Sequence, residues 1–190
     1  MKFSVVLLLA AALILTCGCG KPYSMLDDRE QLKTTFGRYI SLLGESQFEQ
    51  AYGLLYFGHI PQGGNLQMFT QAQKVMDELC SDIEYQASVP VAHGNLAVMD
   101  LDTIFHYKNG TKLKNAGQVF FVKSGDEWKI AIGEYGVRMG LVKVYPEFGE
   151  KFRLIRDISY LWKDGAWVKI EPLEDKPAQQ PAATLEIQAQ

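Results

Sequence analysis

The chain has 190 residues, of which 19 are basic and 22 acidic, for a formal net charge of -3. That balance, with no run of lysine and arginine, argues against nucleic acid as a partner, because such affinity rests on neutralising phosphates. Roughly 170 residues lie beyond the apolar leader, enough for one domain with a real core and short appendages.

Lys2 precedes an unbroken apolar run from Val5 to Leu15, and Cys17 and Cys19 follow at once. A charged start, an apolar middle and small residues at the exit make an export signal. The run is about half of the ~20 residues that a bilayer-spanning helix needs. Thr16-Cys17-Gly18-Cys19 resembles the lipobox of bacterial lipoproteins, in which a cysteine thiol is joined to a diacylglycerol and the chain is cut just before it. The resemblance implies lipidation at Cys19, behind the small Gly18, although Thr16 stands where leucine is commoner. Cys17 is the alternative, with Ile14 at the aliphatic position but Thr16 directly before it. The plainer reading is an ordinary secretory signal with two incidental cysteines.

Residues 1–18 are therefore expected to be a signal and 19–25 a lipidated tether. Gly20 is no acidic retention residue. The resemblance thus implies an outer membrane facing the periplasm in a two-membrane bacterium, and otherwise the outer side of the cytoplasmic membrane. Without Lys2, 18 basic residues face 22 acidic ones, a net charge of -4. Of the three cysteines only Cys80 stays in the folded part, so no intramolecular disulfide is available, and it reads as a small buried hydrophobe.

A helix is expected from Asp27 to Leu43, with Leu32, Phe36, Tyr39, Ile40 and Leu43 at helical spacing, acids in its first turn and Gly44 as its C-terminal cap. Ser46 and Glu49 read as a capping box for a second helix, whose Phe48, Ala51, Tyr52, Leu54 and Leu55 face the core. Gly58 to Gly64, with Pro61, breaks it. Asn65 caps a third helix to about Cys80, with an apolar stripe of Leu66, Phe69, Ala72, Val75, Met76 and Leu79. The period then changes to two. Strands are expected at Ile83 to Val91, Asn95 to Tyr107, Lys112 to Lys123, Trp128 to Ile132 and Val137 to Tyr145, with a last hairpin of Phe152 to Trp162 and Trp167 to Ile170. Asn109-Gly110, Ser124-Gly125-Asp126 and Lys163-Asp164-Gly165 are the turns. From Glu171 the chain becomes polar, and residues 173–190 read as a disordered tail.

Two segments echo each other: FVKSGDEWKI (Phe121 to Ile130) and YLWKDGAWVKI (Tyr160 to Ile170). Each places a tryptophan just after a glycine-containing turn, which reads as two hairpins under similar packing demands. The segments FEQAYGLL (Phe48 to Leu55), GNLAVMDLDTIFHYKNGTKL (Gly94 to Leu113) and VFFVKSGDEWKI (Val119 to Ile130) resemble the NTF2-like, or cystatin-like, domains of small exported lipoproteins. The resemblance covers about residues 26–132. It implies an α+β fold in which N-terminal helices pack on a curled antiparallel sheet to form a cone. The extra segment 134–172 either extends that sheet or covers its open face, within a single domain spanning 26–172.

On the strand from Asn95 to Tyr107, Ala97, Met99, Leu101, Thr103, Phe105 and Tyr107 form the natural core face. Asp100, Asp102 and His106 share the other face. They are the candidate polar cluster, for a general base with a proton carrier or for a cation, against the simpler reading of a solvated face. His59 and His93 lie in expected loops. No Ser-His-Asp signature, metal-ligand spacing, phosphate loop or dinucleotide fingerprint appears, and GEYGVRMG (Gly133 to Gly140) lacks the spacing for phosphate, so no cofactor or metal is expected. Tyr52, Tyr56, Phe57, Phe69, Phe105 and Phe121 are candidates to line an apolar cone.

The reading that results is a lipid-anchored, non-enzymatic envelope protein that binds a small apolar ligand or an envelope protein through its cone or exposed sheet. The alternatives are an isomerase- or dehydratase-like enzyme of the same fold, and a structural homodimer joined through the sheet. Replacing Cys19 with serine is expected to release the protein from the membrane and abolish its labelling with fatty acid. Retention with label would move the anchor to Cys17 or elsewhere.

Overall fold

The computed structural model describes residues 27–58, 60, 64–131 and 135–170. The signal, Cys17, Cys19, the tether, His59 and the polar tail lie outside the described residues. The order of elements is α1 (Asp28–Gly44), α2 (Phe48–Tyr52), α3 (Leu66–Leu79), β1 (Cys80–Ala87), β2 (Val91–His93), β3 (Leu96–Tyr107), β4 (Lys112–Ser124), β5 (Glu127–Ala131), α4 (Tyr135–Val144), α5 (Glu147–Lys151), β6 (Ile158–Lys163) and β7 (Ala166–Ile170). The fold is α+β, with helices packed on an open, seven-stranded sheet whose ladders are all antiparallel.

The sheet is built on the long hairpin β3–β4, which reaches about 40 Å at the usual rise of a strand. Each side of this hairpin is flanked by two elements placed end to end. Along β3, β2 pairs with residues 96–98 and β1 with residues 101–107. Along β4, β5 pairs with residues 120–124 and β6 with residues 113–116, while β7 extends beyond β6 as the edge strand on that side among the described residues. Turn chemistry sets these registers. Asp164 and Gly165 both have positive φ, the two-residue turn whose twist matches its strands, and Gly94, Gly110 and Gly125 take the left-handed positions in the β2–β3, β3–β4 and β4–β5 hairpins.

One end of the hairpin is covered on both faces. On the inner face, α1, α2 and the segment after it bury Leu32, Phe36, Tyr39, Leu42, Ala51 and Leu55 against Ala97, Met99, Phe121, Trp128 and Ile130. Asp27 caps α1 by accepting from the Glu30 backbone N–H at 2.8 Å. Asp28 then accepts from Lys123 Nζ at 2.8 Å and from the Trp128 indole N–H at 3.2 Å, tying the start of the domain to the β4–β5 turn. On the outer face, α4 and α5 bury Leu141 and Phe148 against Leu96, Val98, Phe120 and Val122. The Phe148 ring stacks on Phe120 with centroids 4.8 Å apart. Tyr56 Oη and Tyr145 Oη, 2.5 Å apart, join the two layers, and burial with that hydrogen bond pushes the Tyr56 phenol up to about 12.

Four expectations are corrected. Residues 135–144 form a helix where a strand was expected. The buried groups there are Arg138 and Leu141, with Val142 and Tyr145 half-buried, a helical spacing masked by three valines that favour strands. The strand expected from Phe152 begins only at Ile158, because Gln118 and Arg138 hold the preceding loop through their own hydrogen bonds. Ser46 does not cap α2: it carries a left-handed φ of 56°, α1 runs through Gly44 to a cap at Glu45, and the cap position of α2 falls to Gln47, which makes no side-chain cap. The solvated face expected on β3 is a second core at its Leu96–Val98 end. Within residues 135–170, α4–α5 cover the outer face and β6–β7 widen the sheet.

Phe148→Ala removes the centre of the outer core and is expected to cost about 3–5 kcal/mol in urea unfolding. The hydrogen bond from Lys123 holds the Asp28 carboxyl below its ordinary value of 3.8, aided by the Trp128 indole and opposed by partial burial. Its contribution is complete above that value and is lost as the pH falls through the depressed folded pKa. Asp28→Asn should flatten the fall of melting temperature below pH 4, which thermal unfolding across pH 2–5 would read.

Candidate functional site

The three polar candidates on β3 share a face but not a site. Asp100 and His106 are six residues apart, about 20 Å along a strand. Asp100 accepts from Gln118 Nε2 at 2.9 Å and lines a cleft of about 420 Å³ with Ser88, Val98, Phe152 and Arg153. Gln118, itself buried, also donates to the Arg153 carbonyl at 3.0 Å and accepts from the Ile155 N–H at 3.0 Å, so it staples the loop after α5 to the sheet. Asp102 pairs with Lys114 Nζ at 3.5 Å. His106 Nε2 lies 2.7 Å from Glu84 Oε1 on β1.

Asp82 joins His106 and Glu84 in a group whose ligand atoms lie within 4.8 Å of one another, the arrangement among the described residues able to hold a divalent cation. Its spacing is not that of a ligand set: ligands about 2.0–2.2 Å from a tetrahedral metal stand well over 3 Å apart, whereas His106 Nε2 and Glu84 Oε1 are 2.7 Å apart. His93 ends β2, exposed, with its ring 5.2 Å from that of Phe152.

The aromatic candidates do not converge on one cavity. Phe121 is wholly buried in the inner core. Tyr52 packs with Phe57 and Phe69 at 4.7 and 5.6 Å between α2 and α3. Tyr56 points to Tyr145, and Phe105 lies beside Tyr107 at 6.4 Å, far along the sheet. The covered half of the expected cone is filled by its own side chains. Cys80 opens β1 rather than closing α3; it is buried, and that burial pushes its thiol up, away from reactivity.

What the structure adds is the other end of the sheet. Both buried clusters stop near Leu101, although Ile83, Phe105, Leu113, Leu161 and Val168 continue in register across β1, β3, β4, β6 and β7 on the inner face. Cover falls along this row: Phe105 and Leu113 are half-buried, Leu161 is 36% exposed and Val168 49%. The helix α3 beside it buries no residue, and Met68, Val75 and Leu79 of its expected core stripe or next to it face outward. Its C-terminus is held to the β3–β4 turn by Lys108, which donates from its backbone to Leu79 O and from Nζ to Asp77 O, both at 2.9 Å.

On the outer face of this end, Lys114 Nζ lies 4.8 Å from the Tyr160 ring and 5.8 Å from that of Trp167, and Trp162 meets Trp167 edge to face at 5.1 Å. The echoing tryptophans therefore differ: Trp128 is 1% exposed in the core, while its counterpart Trp167 is only half-buried, beside Trp162, which is 40% exposed. The repeated motif was the available signal for this surface, but similar local sequence cannot reveal which hairpin a helix will cover.

Comparisons with known proteins add no family. No family model and no curated protein matches the chain. A solved structure, that of Bdellovibrio bacteriovorus Bd1075, is similar over 53% of this chain at 16% identity and a TM-score of 0.42, and the match spans 38% of that protein's length.

Proposed function

We propose that this chain is an exported lipoprotein whose NTF2-like domain is a docking module of the cell envelope rather than an enzyme, engaging an envelope protein through the uncovered end of its sheet. The observation that carries this reading is the apolar row ending in Leu161 and Val168, which continues the inner face past the last residue of either core. Native sheets rarely leave such a row open without use, since it invites association. The separate partners of Asp100, Asp102 and His106 support the same reading: Asp100 accepts from Gln118, Asp102 pairs with Lys114 and His106 lies against Glu84, so each group serves a different structural contact. The export signal and lipobox supply the location.

Photo-crosslinking in the native host tests it. The full-length lipoprotein carrying p-benzoylphenylalanine in place of Leu161 should give light-dependent adducts with protein, and the same probe at the exposed Lys33 of α1 should not. Identical adducts at both positions, or none at Leu161, would overturn the proposal.

A further inference from the structure

The free edge of the sheet is self-complementary, and we infer that β7 pairs antiparallel with β7 of a second copy of this chain, centred on Val168. The inference rests on the docking reading above and names its partner. Edge strands are normally protected by prolines, bulges, several charges or a covering element. β7 has the sequence AWVKI, with one charge, no proline and exposed Val168 and Ile170.

The backbone selects the register. Lys163 and Ala166 flank a two-residue turn, so they form a hydrogen-bonded pair, as do Leu161 with Val168 and Ser159 with Ile170 by alternation. Trp167 and Lys169 consequently turn their N–H and C=O groups away from β6, toward the open edge. Pairing centred on Val168 sets each Trp167 opposite Lys169 of the other copy, and both residues spend their outward groups on four new ladder hydrogen bonds. A pairing centred on Lys169 would oppose the two ammonium groups. One centred on Trp167 would place Lys169 against the glycine of the turn.

Side chains agree with that register on both faces. On the outer face, Lys169 reaches the indole of the other copy's Trp167, as Lys114 already approaches this ring within the chain. On the inner face, Val168 meets its own copy. The row Phe105, Leu113, Leu161, Val168 then runs unbroken into Val168, Leu161, Leu113 and Phe105 of the second molecule, removing its most exposed members from water.

Disulfide trapping of the full-length lipoprotein in its native membranes tests the register. Across an antiparallel dyad of this kind, the Cβ atoms lie near disulfide range. Val168→Cys treated with the oxidant diamide should give mostly disulfide-linked dimer, several-fold more than Val89→Cys, whose parent residue is equally exposed. Lys169→Pro in the Val168→Cys background deletes an N–H that the β6–β7 ladder does not use, so it should abolish the trapped dimer while leaving the hairpin intact. Val168→Asp, which sets two carboxylates on the dyad, should leave the protein monomeric by sedimentation in detergent. If Val168→Cys traps no more dimer than Val89→Cys while Leu161 still crosslinks to a different protein, the second copy is overturned and the docking reading stands. Loss of both signals overturns both.

Discussion

The length of the β3–β4 hairpin is the constraint on which the rest of this structure depends. Two strands of 12 and 13 residues are longer than the helices of the chain can cover. The helices α1 and α2 on one side and α4 and α5 on the other are used at the same end, giving a locally three-layered body around Trp128, Phe121, Phe120 and Phe148. Beyond Leu101 helices give only partial cover, where Phe36 of α1 meets Tyr85 and where the end of α3 is held to the β3–β4 turn, and toward β6 and β7 only strands continue. Strands extend a sheet but cannot roof it, so the apolar alternation of β3 and β4 runs on into half-buried and exposed positions.

Placing two strands end to end along β4 creates a second constraint. β5 stops at Phe120 and β6 starts at Ala116, so residues 117–119 have no strand partner on that side. The buried Arg138 of α4 occupies this break, stacked 5.6 Å over the Phe120 ring and hydrogen-bonded to Asp157. Gly117 is needed beside it, since a Cβ there would collide with the Asp157 carboxylate. A buried guanidinium is tolerable only when paired, so the loop from Phe152 to Asp157 and the helix α4 are bound to each other as well as to the sheet. With Cys80 the one cysteine of the described residues, these contacts and the two cores hold the domain without a disulfide.

Much of the architecture was legible in the sequence because it is local. The period of two from Leu96 to Tyr107, the Asn-Gly and Asp-Gly turns and the cap at Asn65 each act within a few residues and appear where they were expected. The failures are positions decided from a distance. Val137, Val142 and Val144 favour a strand, but burial of Leu141 against the outer face selects a helix. The face of Asp100, Asp102 and His106 looked uniform, yet helices cover only its Leu96–Val98 end. His106 finds Glu84 on a neighbouring strand, a partner that no spacing along β3 encodes. The aromatic candidates were individually reasonable, but Phe121, Tyr56 and Phe105 sit on different layers or ends of the sheet.

The contact of Asp28 with Lys123 and Trp128 fixes more than the first turn of α1. It brings the chain into the domain beside the β4–β5 turn, at the opposite end of the long hairpin from the uncovered strands. In the proposed lipoprotein, a single molecule held by a lipid at Cys19 would therefore stand upright, its bare end directed away from the bilayer. Antiparallel edge pairing reverses one sheet relative to the other and sends the two points of attachment to opposite ends of the assembly. Two copies rooted in the same leaflet would then have to lie down along it, so that pairing and posture on the membrane become a single choice.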